Sequence, residues 1–319
     1  MILSASRRTD IPAFFPDWFM NRLRDGYVLV RNPMNYHQVS KIELSPAVLD
    51  CIVFWTKNPR PILRHLTEIG ETYPFYFQYT LNAYEKDVEQ NLPNLGERIR
   101  TLQTLSDAIG NERVIWRYDP VLLSPVYDVR WHVESFDRLA KELAPFVESV
   151  VFSYFDPYPK VENNTRGLGI RPCVSAEMET LAQEFSRIAQ ANRLTIKTCA
   201  EAIDLAKYGI EHNCCIDPKL IEKITGCAIR AKKDANQRPE CGCAESIDIG
   251  QYNTCRHGCR YCYANFNPKS VETFLRQHDK NSPLLIGQPE NDDKVTTRKI
   301  KLLRVEQEAE QLSLFQNLH

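Results

Sequence analysis

Residues 246–262 read Ser246-Ile-Asp-Ile-Gly-Gln-Tyr-Asn-Thr-Cys255-Arg-His-Gly-Cys259-Arg-Tyr-Cys262, a short β-rich run followed by three closely spaced cysteines. Three thiolates on one short loop can hold three irons of a 4Fe–4S cluster and leave the fourth iron without a protein ligand. A structural zinc site and chance spacing are the alternatives, although zinc sites more often use paired Cys-x-x-Cys hooks. The pattern therefore favours an iron–sulfur loop that directly follows a strand.

Cysteine is the residue type that departs most from ordinary composition in this chain of 319 residues. Nine of the eleven cysteines lie between Cys199 and Cys262. In a reducing compartment such clustering favours metal binding over disulfide bonds. No apolar run approaches the roughly 18 residues that a membrane span needs, and Met1-Ile2-Leu3-Ser4 does not open a signal peptide. We therefore expect a cytoplasmic protein that makes no membrane contact.

Hydrophobicity and charge are those of an ordinary globular protein. Hydrophobic residues make up 43% of the chain, and 40 basic residues against 41 acidic ones give a net charge of −1. That balance excludes a global basic field of the kind that attracts nucleic acid, although a local basic groove is compatible with it.

Short β-rich runs alternate with longer amphipathic stretches over the first two hundred residues. The candidate strands are residues 2–6, 27–31, 51–56, 75–80, 114–118, 149–155 and 194–199, and the candidate helices are residues 16–24, 97–109, 133–143 and 176–191. Such alternation predicts βαβ units and a parallel sheet. With residues 246–249 as an eighth strand, seven or eight units over about 250 residues favour a TIM-like α/β barrel, partial or full, over a doubly wound sheet.

The domain organisation follows from this pattern. Residues 1–200 are predicted to form the βα barrel, residues 201–266 a cysteine-rich iron–sulfur region that completes it, and residues 267–319 a linker and C-terminal tail. Within the last part, residues 281–294 are rich in Asn, Asp, Pro and Gly, which predicts an exposed linker.

Polar sequence follows most of the predicted strands. Ser6-Arg7-Arg8-Thr9-Asp10 follows the first, Arg117-Tyr-Asp119 lies on the fifth, and Thr198-Cys199-Ala200-Glu201 follows the seventh. In a parallel barrel the carboxyl ends of the strands form the face where functional groups collect. A single charged loop residue is commonplace, but the repetition at several strand ends predicts an active-site rim.

Four further cysteines, with one possible substitute, could form a second metal site. They are Cys215, Cys227, Cys241 and Cys243, with Cys214 as an alternative to Cys215. Four thiolates can complete an iron–sulfur cluster or a zinc tetrahedron, and we favour a second 4Fe–4S cluster over zinc. The alternative is that some of these cysteines are packing residues. His257, inside the first cysteine loop, is expected to face solvent.

The cysteine loop carries a resemblance to a known superfamily. Cys255–Tyr263, Cys-x-x-x-Cys-x-Tyr-Cys-Tyr, resembles the signature of radical S-adenosylmethionine enzymes, especially the spore photoproduct lyase branch. The whole chain is similar to the bacterial domain-of-unknown-function family 1848, from Ser4-Ala-Ser-Arg-Arg-Thr-Asp-Ile-Pro-Ala-Phe to the cysteine loop. The superfamily resemblance implies a 4Fe–4S cluster, S-adenosylmethionine bound at its open iron, and an electron donor such as flavodoxin or ferredoxin.

In that superfamily the cluster loop usually follows the first barrel strand, whereas here it follows the last predicted strand. If residues 246–249 take the place of the first strand, the strand order is permuted and residues 2–6 become the second strand. The residues then expected to contact the cofactor are Tyr261, Arg7, Arg8, Asp10 and Arg117. The alternatives are a helix N-cap at Asp10 and an internal Arg117–Asp119 ion pair.

The tail contains Gln311-Leu312-Ser313-Leu314-Phe315. It is similar to the pentapeptide by which bacterial replication and repair proteins bind the DNA polymerase sliding clamp. Such a peptide inserts Leu and Phe into an apolar pocket while Gln forms hydrogen bonds. The alternative is a final helical turn that packs Leu312 and Phe315 on the barrel.

These patterns together predict a radical S-adenosylmethionine enzyme that produces a 5′-deoxyadenosyl radical and acts on DNA or another nucleic acid, in repair or modification. One alternative is radical modification of a small metabolite or peptide. A second alternative is a non-catalytic iron–sulfur or zinc scaffold that tethers partners.

Overall fold

Eight strands form one sheet in which every pair of neighbours is parallel. The computed structural model describes residues 1–305 of the chain. Across the sheet the strands are β10 (Ile247–Asp248), β1 (Ile2–Ala5), β4 (Cys51–Thr56), β5 (Phe75–Thr80), β6 (Val114–Val121), β7 (Ser149–Tyr154), β8 (Thr195–Thr198) and β9 (Glu211–His212). The predicted parallel sheet is confirmed.

The order of the strands is sequential apart from β10, which lies at the edge beside β1. Leu3 pairs with Ile247 and Ser4 with Asp248, so the last strand of the sheet adjoins the first in the chain. A doubly wound sheet reverses its strand order in the middle, and this sheet does not. Within residues 1–305 the edge strands β9 and β10 are not paired with each other, and closure into a barrel remains a prediction.

Helices connect the strands and flank the sheet. They are α1 (Ile11–Phe14), α2 (Pro16–Asp25), α3 (Leu66–Gly70), α4 (Leu95–Ile109), α5 (Val129–Leu143), α6 (Pro159–Thr165), α7 (Ser175–Ala191), α8 (Pro218–Thr225) and α9 (Pro268–Arg276). Side-chain caps fix several starts: Asn94 Oδ1 accepts from the Glu97 amide at 2.9 Å and Asp128 Oδ1 from the Trp131 amide at 2.8 Å. Among the helices of residues 1–305, none has the length and hydrophobicity for a membrane span.

One face of the sheet packs against these helices. Leu3, Phe54, Phe77, Trp116 and Phe152 all point to this face and are fully buried. Phe136 of α5 stacks on Trp116 with ring centroids 5.1 Å apart, and Phe185 of α7 contacts Phe152 edge-on. These contacts account for the apolar residues at alternate positions of the strands.

The other face is covered by the cysteine-rich segment, residues 213–244. The intervening strand residues Ile2, Val53 and Tyr76 are buried against it, in a cluster that contains Cys215 and Cys243. The Tyr76 hydroxyl donates to the Cys215 carbonyl at 2.7 Å. Parallel sheets are normally buried on both faces. Here helices bury one face, and a largely irregular segment buries the other.

Residues 27–31 form a strand, as predicted, but their place in the main parallel sheet was predicted wrongly. They belong to β2 (Tyr27–Asn32), which pairs antiparallel with β3 (Asn35–Glu43) in a separate sheet. The third strand there is β11 (Lys294–Thr297), parallel to β3. Two residues separate β2 from β3, and so short a link permits only an antiparallel hairpin.

The prediction of an exposed linker over residues 281–294 is wrong for its apolar part. Ser282 and Leu284 are each no more than 2% exposed. The Trp18 indole donates to both of their carbonyl oxygens at 3.0 Å. Leu284 also packs against Leu29 and Val39 of the small sheet. The predicted clamp peptide, residues 311–315, lies outside the described residues.

Replacing Leu284 with Ala should lower the free energy of unfolding by roughly 2–5 kcal/mol, because the change leaves a cavity between this segment and the small sheet. Leu302→Ala is the matched control, since Leu302 is 48% exposed, and it should change stability little. Denaturant unfolding measures both. Equal effects of the two substitutions would mean that the segment does not pack as described.

Candidate functional site

The cysteine loop begins where β10 ends, beside the end of β1. Cys259 is buried, and Cys255 and Cys262 are half-buried. Because both strands are parallel, their carboxyl ends lie at the same edge of the sheet. The three predicted cluster ligands thus lie on one loop at the edge of the sheet where the carboxyl ends of the strands meet.

Asp248 fixes the start of this loop. Its carboxylate accepts hydrogen bonds from Ser6 Oγ at 2.6 Å, the Arg7 amide at 2.8 Å and the Gly250 amide at 2.9 Å. Ser4 Oγ donates to it as well, at 3.0 Å. A Cβ atom on Gly250 would lie 2.0 Å from Ser6 Oγ, so only glycine allows this approach of the two strand ends.

Asp10 joins α1 to the cysteine loop. It caps the helix through the Ala13 amide at 3.0 Å, and it also accepts from the Lys57 amide and from His257 Nε2, both at 2.8 Å. The expectation that His257 faces solvent is wrong: the side chain is 3% exposed and packs against the Phe14 ring. Sequence spacing could not reveal this hydrogen bond, since its partners are 247 residues apart.

The middle of the loop is held from the segment after β5. Asn91 Nδ2 donates to the Arg256 carbonyl at 2.8 Å, and the Asn91 amide donates to the His257 carbonyl at 3.0 Å. Gly258 has a φ of +67°, and a Cβ there would lie 2.9 Å from Asn91 Nδ2. Glycine at this position therefore allows both the backbone conformation and the contact.

Tyr261 is part of a buried charged network. Lys57 Nζ donates to the Tyr261 hydroxyl at 2.7 Å and to Glu89 at 3.0 Å, and the same hydroxyl donates to Glu89. Arg98 pairs with the second Glu89 oxygen at 2.9 Å. Burial opposes ionisation of Glu89, but the charges of Lys57 and Arg98 outweigh it and lower the pKa of that carboxyl. The network holds the ring before Cys262 in one position.

A cleft of about 640 Å³ opens beside the loop, within the usual size range of small-molecule sites. Cys255 and Cys259 line it on one side and α9 on the other. Arg256, Arg260 and Arg276 supply positive charge to its walls. The contribution of α9 to this cleft was not predicted from the sequence.

Five cysteines meet on the sheet face opposite the flanking helices. We call Cys199, Cys214, Cys215, Cys241 and Cys243 the second cysteine group. Cys199 Sγ and Cys215 Sγ lie 3.4 Å apart. Hydrogen bonds from the Cys214 and Cys215 thiols lower the pKa of Cys243, and a hydrogen bond with Cys243 lowers that of Cys241 to about 7. Cys227, which was predicted to be a ligand, makes no thiol contact with another cysteine among the described contacts.

Arg7 and Arg117 point toward this second group. Arg117 Nη1 donates to Cys215 Sγ at 2.9 Å. Arg117 also forms an ion pair with Asp119 at 2.7 Å, the arrangement that was the predicted alternative to a contact with the cofactor. Both guanidinium groups lie 5.2 Å from the centroid of the Trp55 ring. Burial opposes the charge on Arg7, but the nearby Cys243 and Cys215 raise its pKa.

Arg8 occupies a different position from Arg7. Its guanidinium lies 4.0 Å from Asp248 and 5.3 Å from the centroid of the Tyr252 ring. Of the residues expected to contact the cofactor, Asp10 and Tyr261 therefore touch or belong to the cysteine loop. Arg8 lies beside the origin of the loop, and Arg7 and Arg117 face the second cysteine group.

Glu201, three residues beyond the end of β8, was not singled out from the sequence. It accepts from the Tyr154 amide at 2.9 Å, and burial raises its pKa to about 8. Nearby, Asp119 accepts from Ser153 Oγ and pairs with Arg117. The sequence pattern that could have indicated Glu201 is the run of polar residues after each predicted strand. That pattern does not show which of the polar residues becomes a buried carboxyl group.

A family model described as a domain of unknown function (DUF1848) matches residues 2–264, from β1 through the cysteine loop. A search of curated proteins found no match to the chain.

Substituting Ala for Gly250 should destabilise the protein by about 1–3 kcal/mol, because the new methyl group would overlap Ser6. Adding Ser6→Gly removes the overlapping atoms and should restore part of the loss. Gly70→Ala is the control, since its Cβ would have ordinary contact with Phe75 at 3.5 Å. The free energy of unfolding is the measurement, and a harmless Gly250→Ala would contradict the described approach of the strands.

Proposed function

The chain belongs to the DUF1848 family, and we propose that it is a radical S-adenosylmethionine enzyme with a 4Fe–4S cluster on Cys255, Cys259 and Cys262. The observation that carries this proposal is the position of the three cysteines on one fixed loop at the carboxyl end of a strand in a parallel sheet. We further propose that the sheet is a partial barrel, because its strand order is sequential with β10 placed beside β1.

The residues in and around the cysteine loop are of the types that a 4Fe–4S cluster with bound S-adenosylmethionine requires. Three thiolates are the donor set that an iron–sulfur cluster with one open iron requires. Two buried polar atoms beside the loop have no hydrogen-bond partner: Thr9 Oγ1 and His257 Nδ1. Buried polar atoms are normally paired, so unpaired ones support a polar ligand in this region.

Held by Cys255, Cys259 and Cys262, the cluster would pass one electron from an electron donor to S-adenosylmethionine, whose S–C5′ bond would break to give methionine and a 5′-deoxyadenosyl radical. The protein's own groups position and protect this chemistry. The Glu89 network holds Tyr261 and thereby the loop between Cys259 and Cys262. Asp10 and Asn91 hold the other part of the loop through His257 and Arg256. A rigid loop keeps the thiolates oriented, as a metal site requires.

For the substrate, we propose DNA or another nucleic acid. Arg256, Arg260 and Arg276 line the cleft beside the loop, with Glu272 as the acidic residue among its lining. Arginines placed in this way can contact phosphate oxygens, and a basic cleft is compatible with the near-neutral charge of the whole chain. The clamp-like peptide at residues 311–315 supports the same substrate class from sequence alone.

Replacing Cys259 with Ala should abolish reductive cleavage of S-adenosylmethionine, because the cluster would lose one of three thiolate ligands. The assay measures 5′-deoxyadenosine after anaerobic reconstitution with a chemical reductant. Cys173→Ala is the matched control, since Cys173 is also buried but lies outside both cysteine groups. Undiminished cleavage by Cys259→Ala would refute the assignment. An iron-loaded native protein that cleaves no S-adenosylmethionine would favour a non-catalytic scaffold.

Substituting Ala for Arg256, Arg260 and Arg276 together should weaken binding to single-stranded DNA and make it less dependent on salt. Each lost phosphate contact reduces the slope of log affinity against log salt by about 0.7, so the slope should fall by about 2. Arg130→Ala is the control, since Arg130 is 85% exposed and its side chain pairs with Glu134 on α5. Native protein without measurable DNA affinity would favour a small metabolite or peptide as the substrate.

A further inference from the structure

We propose that Cys199, Cys215, Cys241 and Cys243 bind a second iron–sulfur cluster on the sheet face that the flanking helices leave free. In this assignment Cys199 replaces Cys227 of the sequence-based prediction. The proposal goes beyond the radical enzyme activity, because a second cluster on these thiols requires neither S-adenosylmethionine nor the loop at Cys255.

Three separate segments bring these thiols together. Cys199 follows β8, Cys215 follows β9, and Cys241 and Cys243 come from the end of the segment that covers the sheet. The backbones approach closely here, because a Cβ on Gly242 would lie 3.2 Å from the Asn213 carbonyl oxygen. Chance clustering within one loop therefore does not explain the group.

Nitrogen donors point at the sulfur atoms of this site. Cys215 Sγ accepts from Arg117 Nη1 at 2.9 Å and from Asn213 Nδ2 at 3.0 Å. Cys243 Sγ accepts from the Ile216 amide at 3.4 Å. Thiolates, not thiols, are the form that binds metal, and such donors stabilise buried negative charge on sulfur. A purely apolar packing role would not require a buried guanidinium beside the cysteines.

Cys214 has the opposite hydrogen-bond pattern and is therefore excluded from the ligand set. Its Sγ lies 2.7 Å from the Ile216 carbonyl oxygen and 2.9 Å from the Gly242 carbonyl oxygen, and its single proton can be donated to one acceptor at a time. A thiolate at this position would be repelled by both carbonyl oxygens. This difference selects Cys215 over Cys214, a choice that the sequence left open.

The hydrogen bonds to sulfur are the feature that favours a cluster here. Proteins set the potential of an iron–sulfur cluster partly through hydrogen bonds to its sulfurs, and Cys215 Sγ accepts two of them. Zinc on the same four thiolates is the competing outcome of the test.

The test uses the full chain with Cys255, Cys259 and Cys262 replaced by Ala, reconstituted anaerobically with iron and sulfide. We expect about four irons and four sulfides per chain to remain, with the Mössbauer spectrum of a 4Fe–4S cluster. Adding Cys199→Ser should reduce the iron at least twofold. Adding Cys227→Ser, the matched control, should leave it unchanged.

Three results would overturn the proposal: no bound metal, zinc in place of iron, or iron that depends on Cys227 and not on Cys199. If the triple variant fails to fold, the native protein decides, since two clusters require about eight irons per chain and one requires about four. Neither measurement depends on cleavage of S-adenosylmethionine. A second cluster in an inactive protein would therefore refute the radical function alone.

Discussion

The carboxylate of Asp248 links β10, the last strand of the main sheet in chain order, to β1, the first. It receives hydrogen bonds from both serines around the end of β1 and from two backbone amides. These bonds set the register of β10 against β1, and the cysteine loop starts from that fixed point. The hydrogen bond between Asp10 and His257 and the close approach of Gly250 to Ser6 both form in this register.

The two faces of the main sheet are covered by different kinds of structure. Regular helices pack on one face through aromatic side chains, whereas residues 213–244 cover the other face with only the short helix α8. An irregular segment buries backbone groups that no regular hydrogen-bond ladder satisfies. Side-chain hydrogen bonds, such as the one that the Tyr76 hydroxyl donates to the Cys215 carbonyl, satisfy some of these backbone groups. Metal binding at the proposed second cluster would stabilise this segment further, because it couples directly to folding.

Local patterns predicted the strands and the longer helices well, because alternation and helical periodicity are carried by neighbouring residues. They could not assign residues 27–31 to a separate sheet, since a strand's sequence does not specify its partner. The same reason explains why sequence spacing could not include Cys199 in the second cysteine group. Spacing along the chain pointed to Cys227, whereas Cys199 reaches the group through the end of β8. His257 was misplaced because its burial depends on Asp10, at the other end of the chain.

The pairing of β10 with β1 has a consequence for synthesis and folding. Leu3 pairs with Ile247, which is synthesised much later. The β10-facing edge of β1 therefore stays unpaired until most of the chain has left the ribosome. Contacts between such distant residues slow folding, and an exposed strand edge invites association with other chains. The loop that contains Cys255 emerges later still. A nascent chain must therefore keep its N-terminal strand from aggregating throughout translation, a demand that chaperones commonly meet.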